Sequence, residues 1–220
     1  MPVVRIRSAV CLLDRFPALA GADLDVDQGE ILLLSGPNGA GKPTLLRLLA
    51  GLLPLRSGTA SVLGHDLTRD RRTVRRELSL VGHQTFCYDD LTTKENLHFA
   101  ARACGRPVAA ADAALERLEL TRVEKVVHRR LSAGQQRRLA LAVALARDPK
   151  LLLLDEPHAG LDAAGRELLD AVIAAAPGEG RSVVLASHEL ARARALAPRE
   201  VRVVAGRCLT GDPRAVEALA

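Results

Sequence analysis

EILLLSGPNGAGKPTLLRLLAGL, residues 30–52, is the stretch whose reading decides the architecture. Its opening, Glu30–Gly36, is a short aliphatic run ending in glycine, which reads as a buried strand. Gly36, Gly39 and Gly41 then permit a tight turn whose backbone N–H groups converge on phosphate oxygens. Lys42 adds positive charge near the β- and γ-phosphates, and the helix that follows, TLLRLLAGL, aims its N-terminus at the same anion. The pattern G-x-x-x-x-G-K-[ST] is complete except at one position. Pro43 stands where serine or threonine is expected, with Thr44 behind it.

Two more runs share the character of the first. LLLLDEP (Leu151–Pro157) and SVVLASH (Ser182–His188) are brief, aliphatic and end in polar residues. Separated by longer helical patterns, such runs predict an α/β fold with a largely parallel sheet, whose ligands collect beyond the carboxyl ends of the strands. VRIRSAVCLLDRF, ADLDVDQGE and TASVLGHDL (Thr59–Leu67) read as shorter, more polar strands, an antiparallel flank. From about Leu91 to Arg147 the pattern turns helical, with Ala-rich segments such as AAADAALERLEL. The expectation is one domain, residues 1–220, with a helical subdomain over about 86–148 inserted between core strands; no internal repeat or low-complexity linker interrupts it.

Composition bounds the function. The chain has 220 residues, 48% of them hydrophobic but only 2% aromatic, so its core must be built from Leu, Val and Ala. Its net charge of +5 is too diffuse to indicate nucleic acid. The run RDRRTVRRE (Arg69–Glu77) reads as a solvated helix face. Cys11, Cys87, Cys104 and Cys208 show neither C-x-x-C nor metal-ligand spacing, and scattered cysteines of this kind read as reduced intracellular thiols. The N-terminus lacks an uninterrupted apolar signal region, and no apolar run is long enough to span a bilayer. The expected place is therefore the cytosol, with any membrane role carried by a partner.

Two segments add chemistry. In LLLLDEP, Asp155 could hold Mg²⁺ through water and Glu156 could polarise an attacking water as general base. In LSAGQQRRLALAVAL (Leu131–Leu145), Ser132 and Gln135 have capping-box spacing ahead of an amphipathic helix. Capping does not account for Gly134, since glycine in a helix costs about 1 kcal/mol relative to alanine. A glycine there makes sense if an anion approaches the helix N-terminus closely, which would make a second phosphate site. One chain can hardly bring both sites onto one nucleotide; two chains facing head to tail can.

In this order the motifs resemble the nucleotide-binding subunits of ABC transporters, over essentially the whole chain. Gly36–Thr44 (Gly36, Pro37, Asn38, Gly39, Ala40, Gly41, Lys42, Pro43, Thr44) resembles the Walker A loop. Gln84 resembles the Q-loop glutamine, and Leu131–Gln135 the signature motif, with Ala133 where glycine is commoner. Leu151–Glu156 is similar to Walker B, Ala159–Asp162 (AGLD) to the D-loop, and His188 to the switch histidine. The resemblance implies a P-loop fold and an ATP-sandwich homodimer. ATP would lie between Walker A of one subunit and Ser132, Gly134 and Gln135 of the other, with Mg²⁺ held by Asp155 and Gln84, and His188 at the γ-phosphate. For the adenine-stacking position the resemblance offers Phe16, though the family spacing falls nearer Leu13.

The string VGHQTFCYDDLTTKENLHFAAR (Val81–Arg102) and the form LSAGQQRR resemble, more narrowly, the ATP-binding subunit of the cytochrome c maturation haem exporter; small efflux ABC subunits share some of these features. Such a subunit sits peripherally on the cytoplasmic face of the inner membrane. It would meet a coupling helix of a transmembrane permease through a segment matching Thr85–Leu97. His83, His98, Cys87 and Cys104 near it are read as packing or surface residues rather than haem ligands.

Pro43 separates folding from chemistry. It removes the hydroxyl that the family gives to Mg²⁺ and a backbone N–H that would face a phosphate. It also biases Lys42 away from helical geometry. Proline is nonetheless tolerated in the first helical turn, and Thr44, which contacts the α-phosphate in the family, remains. The expectation is a chain that folds, binds nucleotide more weakly and hydrolyses it more slowly. Two function classes stay open: a transport ATPase, or a nucleotide-binding regulatory subunit without useful turnover. Retention of Glu156, Gln84 and His188 favours the first. A soluble, non-transport ABC protein is a weaker third.

Overall fold

The computed structural model describes residues 2–82 and 84–209. The chain opens with a hairpin of β1 (Pro2–Leu13) and β2 (Phe16–Asp27), then β3 (Ile31–Ser35) and α1 (Lys42–Leu49). β4 (Ser57–Val62), β5 (His65–Asp66), α2 (Arg71–Glu77) and β6 (Leu78–Val81) come next. The helices α3 (Thr93–Ala103), α4 (Val108–Arg117) and α5 (Ala133–Ala146) precede β7 (Leu151–Asp155). The chain then runs through α6 (Ala163–Ala175), β8 (Ser182–Ala186), α7 (Leu190–Leu196), β9 (Arg199–Val204) and β10 (Arg207–Leu209).

Two sheets form. One is antiparallel, ordered β2-β1-β4-β5; the other is ordered β10-β9-β3-β8-β7-β6, with β9, β3, β8, β7 and β6 all parallel. The flank departs from its expected size. β1 and β2 are 12 residues each, because apolar residues (Val4, Ile6, Ala9 and Cys11; Leu19, Ala22, Leu24 and Val26) alternate onto one buried face, with the phase reset at Ser8 and Gly21, both at positive φ. The run TASVLGHDL is divided into β4 and β5 by a turn at Leu63 and Gly64, both at positive φ.

The central parallel strands β3, β8 and β7 are apolar on both faces because each feeds two cores. Leu151 and Leu153 of β7 pack with α1 and the antiparallel sheet, whereas Leu152 and Leu154 pack with α3–α6. β3 divides the same way, Leu32 and Leu34 against Ile31 and Leu33, as does β8, Val184 and Ala186 against Val183 and Leu185. The period-2 geometry of a strand thus turns a featureless LLLL into a partition wall.

Arg71–Glu77 is a helix anchored by buried Val74, with Arg75 donating to the Gly51 carbonyl. Cys11, Cys87, Cys104 and Cys208 are all free thiols.

Candidate functional site

Four neighbouring parallel strands each deliver a candidate residue at the carboxyl end. Lys42 follows β3, His188 follows β8, Asp155 ends β7 with Glu156 next, and Gln84 follows β6. β8 lies between β3 and β7, so His188 emerges between the lysine and the carboxylates.

The loop of residues 36–41 is shaped by its glycines. Gly36 and Gly41 have φ of 128° and 108°, and a Cβ on either would stand 2.1 Å from Val203 O or 2.6 Å from Ala18 O. No other residue fits. The turn after β9 closes the loop from below, Gly206 N–H donating to Ala40 O at 2.9 Å. Lys42 is 4% exposed, and its Nζ donates to the carbonyls of Gly36 and Pro37 at 2.6 and 3.1 Å. Burial pushes its pKa down, partly offset by the carboxylates of Glu156 and Asp155. A buried ammonium held by neutral carbonyls is suited to receive an anion.

α1 starts at Lys42 despite the proline that follows, with Pro43 in its first turn and no cis peptide bond. The anticipated bias of Lys42 away from helix is thus overridden: the first helical bond, Leu45 N–H to Gly41 O at 2.8 Å, fixes the turn around it. Thr44 is buried directly behind.

Glu156 is held in a left-handed conformation, φ 47°, by its N–H on Ala186 O at 2.9 Å. Its carboxylate accepts the His188 N–H at 3.1 Å, and His188 Nε2 lies 3.5 Å from the other oxygen. Arg137, to which sequence reasoning assigned no role, fixes the same turn. From α5 it donates to the carbonyls of Asp155, Glu156 and Pro157 at 3.0, 2.7 and 3.2 Å, and also to Gly82 O. Desolvation lowers its pKa, with Asp155 and Glu156 opposing. A signal was available: Arg137 precedes the buried Leu141 and Leu145 by one and two turns, and an arginine on a buried helical face must find acceptors.

Ser132 caps α5 as expected: its hydroxyl accepts Gln135 N–H at 3.3 Å, while the Gln135 side chain accepts Ser132 N–H at 2.9 Å. A Cβ at Gly134 would meet only Gly160 O, at 3.6 Å, an ordinary contact. Nothing among the described residues therefore requires glycine there, and α5 presents its N-terminus beside the AGLD turn rather than on the phosphate loop.

Phe16 is 79% exposed, paired with Leu13 across the β1–β2 turn, and two residues from Ala18, whose carbonyl abuts Gly41. Gln84 is exposed; His83 lies outside the described residues. The chain keeps all its aromatic rings out of the core: Phe86, Tyr88 and Phe99 are 75%, 54% and 50% exposed, and Tyr88 and Phe99 meet edge to face at 5.1 Å. The loop carrying Phe86 and Tyr88 is braced. Buried Asn96 accepts Tyr88 N–H and donates to Tyr88 O at 2.7 and 3.1 Å, while His128 bridges Asp89 and Thr85 at 2.7 and 3.3 Å. The Cys87 thiol beside them is pushed up by burial to about 11. His98 is engaged with Asp112 at 3.0 Å, and Cys104 accepts from Arg147.

The family model described as ABC transporter matches residues 19–159, well over half of the chain. The chain belongs to the ABC transporter family. Among curated relatives it is 38% identical over 188 residues to the "Cytochrome c biogenesis ATP-binding export protein CcmA" of Xanthomonas campestris, covering 85% of this chain and 87% of that protein. It is 38% identical to the "Daunorubicin resistance ATP-binding protein DrrA3" of Streptomyces coeruleorubidus, over 87% of this chain and 62% of that one. It is 37% identical to mouse "ATP-binding cassette sub-family A member 7" over 90% of its own length, but spans only 9% of that protein. A solved "ATP binding subunit of ABC transporter" superposes with a TM-score of 0.89 at 26% identity, over 99% of this chain and 92% of that one. The two-sheet fold with its helices is thus the ABC ATP-binding cassette fold.

Proposed function

We propose that this chain is the ATP-hydrolysing motor of an ABC exporter, the haem exporter of cytochrome c maturation, working as an ATP-sandwich homodimer. The convergence of Lys42, Glu156 and His188 beyond the ends of three adjacent parallel strands carries the reading. The loop from Gly36 through Pro37, Asn38, Gly39, Ala40 and Gly41 wraps the phosphates, Lys42 neutralises them, and Thr44 meets the α-phosphate. Glu156 orients and deprotonates the attacking water, its carboxylate already aimed by the His188 N–H. His188 and Gln84 touch the γ-phosphate side. Ser132, Gly134 and Gln135 of the second protomer close the site over the nucleotide, where Gly134 has no Cβ to hold an anion off the helix N-terminus. Phe16 stands at the rim as an adenine platform.

The oxygen donors Asp155 and Gln84 suit a hard divalent cation, so Mg²⁺ fits, short of the hydroxyl that Pro43 lacks. When bound, Mg²⁺ neutralises charge on the β- and γ-phosphates. With that ligand missing, the chain turns over slowly.

Thr85–Leu97, with Phe86 and Tyr88 exposed on a braced loop and Phe99 beside them, is the docking surface for a transmembrane permease. Among the described residues no helix is long and apolar enough to cross a membrane, and the chain would sit peripherally on the cytoplasmic face. The 38% identity to CcmA over most of both chains favours haem export; DrrA3 supports a second reading, the motor of another small-molecule exporter. The test is Mg²⁺-dependent ATP hydrolysis by the chain beside Pro43→Thr, then co-purification with a cytochrome c maturation permease. Turnover in neither protein sinks the motor; turnover without permease binding moves the cargo to the second reading.

A further inference from the structure

The turn after Glu156 leads into a partly buried run of polar side chains that the reading above leaves unused. His158 is 1% exposed, and its Nε2 lies 2.8 Å from Asp170 Oδ1 on α6. Asp170 Oδ2 accepts from Arg192 on α7. A carboxylate only accepts, so His158 Nε2 carries the proton. A second tie runs in parallel, Arg166 of α6 to Glu189 at 3.3 Å. Both ties hold α7, the helix that begins two residues after His188, to the element that starts with the AGLD turn.

We propose that His158, Asp170 and Arg192 are positioning residues that link the turn after Glu156 to the helix after His188 and so keep the His188 N–H on the Glu156 carboxylate. This rests on reading Glu156 as the general base. The run begins two residues from Glu156 and ends four residues from His188, so movement of α7 relative to the β7 turn is transmitted to that hydrogen bond. The cluster is also poorly built for stability alone. Among the described residues His158 Nδ1 and Arg166 Nε are buried without a hydrogen-bond partner, and a half-satisfied polar cluster is worse for stability than apolar packing of the same shape.

The experiment compares the full-length chain with His158→Phe, His158→Gln and Arg192→Met, each with Pro43 and with Pro43→Thr. Phenylalanine keeps the ring volume and loses the donor; glutamine keeps a donor at the Nε2 position. ATP turnover and amide hydrogen exchange at His188 are read together. We expect His158→Phe and Arg192→Met to lower kcat about tenfold with KM within about twofold. Exchange at His188 should rise in both. His158→Gln should stay near the parent in both readouts. If Phe and Gln variants fall equally, or if neither readout moves, the link has no positioning role and the idea is overturned. If neither Pro43 nor Pro43→Thr protein turns over ATP, the ATPase reading fails by itself, and exchange at His188 alone decides the link.

Discussion

The first hydrogen bond of α1 runs from Leu45 N–H to Gly41 O at 2.8 Å and passes over Pro43, whose missing N–H the helix never needed. Proline also stiffens the unfolded chain where its φ already fits. Replacing it should therefore cost stability while restoring chemistry. Pro43→Thr is expected to lower unfolding free energy by up to about 1 kcal/mol and to raise Mg²⁺-dependent ATP turnover. Urea denaturation and steady-state hydrolysis on the same protein preparations check both signs; equal turnover would mean another group already replaces the hydroxyl.

Glu156 should separate binding from hydrolysis. Glutamine keeps an oxygen for the His188 N–H, now at 3.1 Å, but cannot take a proton. Glu156→Gln is expected to reduce turnover at least ~100-fold while nucleotide affinity stays near the parent. Titration of a fluorescent ATP analogue beside a phosphate-release assay would show the separation, and parallel loss of both would remove the general-base assignment.

Arg137 supplies a different kind of prediction because its acceptors are all backbone. Arg137→Ala removes a donor from the carbonyls of Gly82, Asp155, Glu156 and Pro157 together, although Glu156 O keeps the Ala159 N–H at 3.2 Å. The expected loss is about 1–3 kcal/mol, the range for buried polar groups left unsatisfied. Lysine, a single point charge in place of a planar fork, should recover only part. Recovery to the parent value in Arg137→Lys would mean that charge, not the fork, secures the turn.

Acid should loosen the junction of β6 and β7. Lys150, hydrogen-bonded to Glu77 at 2.5 Å, holds that carboxylate below its ordinary 4.5, with His65 adding to it. A depressed carboxylate stabilises the fold above its unfolded pKa, and that contribution disappears as pH falls through the folded one. Glu77→Gln should thus be less stable than the parent at pH 7, by under about 1 kcal/mol given the exposed lysine. The difference should close below pH 4.5. A gap that persists at pH 2–3 would assign the effect to packing.

The sequence shows the parallel core and phosphate loop plainly because those elements are local: an aliphatic run, three glycines and a lysine in register. Glu156 and His188 were legible as types at strand ends, though their mutual contact needed β7 and β8 to be neighbours, which is topology. The length of β1 and β2 was hidden because Ala9, Cys11 and Ala22 are small, and weak alternation reads as polarity until both partners are known. Arg137 and His158 were hidden for the opposite reason. A buried cation or imidazole is recognisable only by its acceptors, and the nearest of those lie 18 and 12 residues away in the chain.

Gly134 offers the sharpest separation of stability from function. It sits in the first turn of α5 behind the Ser132 cap, at no special φ, and a Cβ there has ordinary room beside Gly160 O. Alanine is the better helix former by up to about 1 kcal/mol. On intramolecular grounds Gly134→Ala should therefore be neutral or stabilising by thermal denaturation. If a second protomer's nucleotide approaches this turn, the added methyl meets a phosphate instead. ATP-dependent dimerisation and turnover should then fall together, in a protein that melts no earlier than the parent. A Gly134→Ala protein that is as stable and still dimerises and turns over normally would show that no anion comes close to α5.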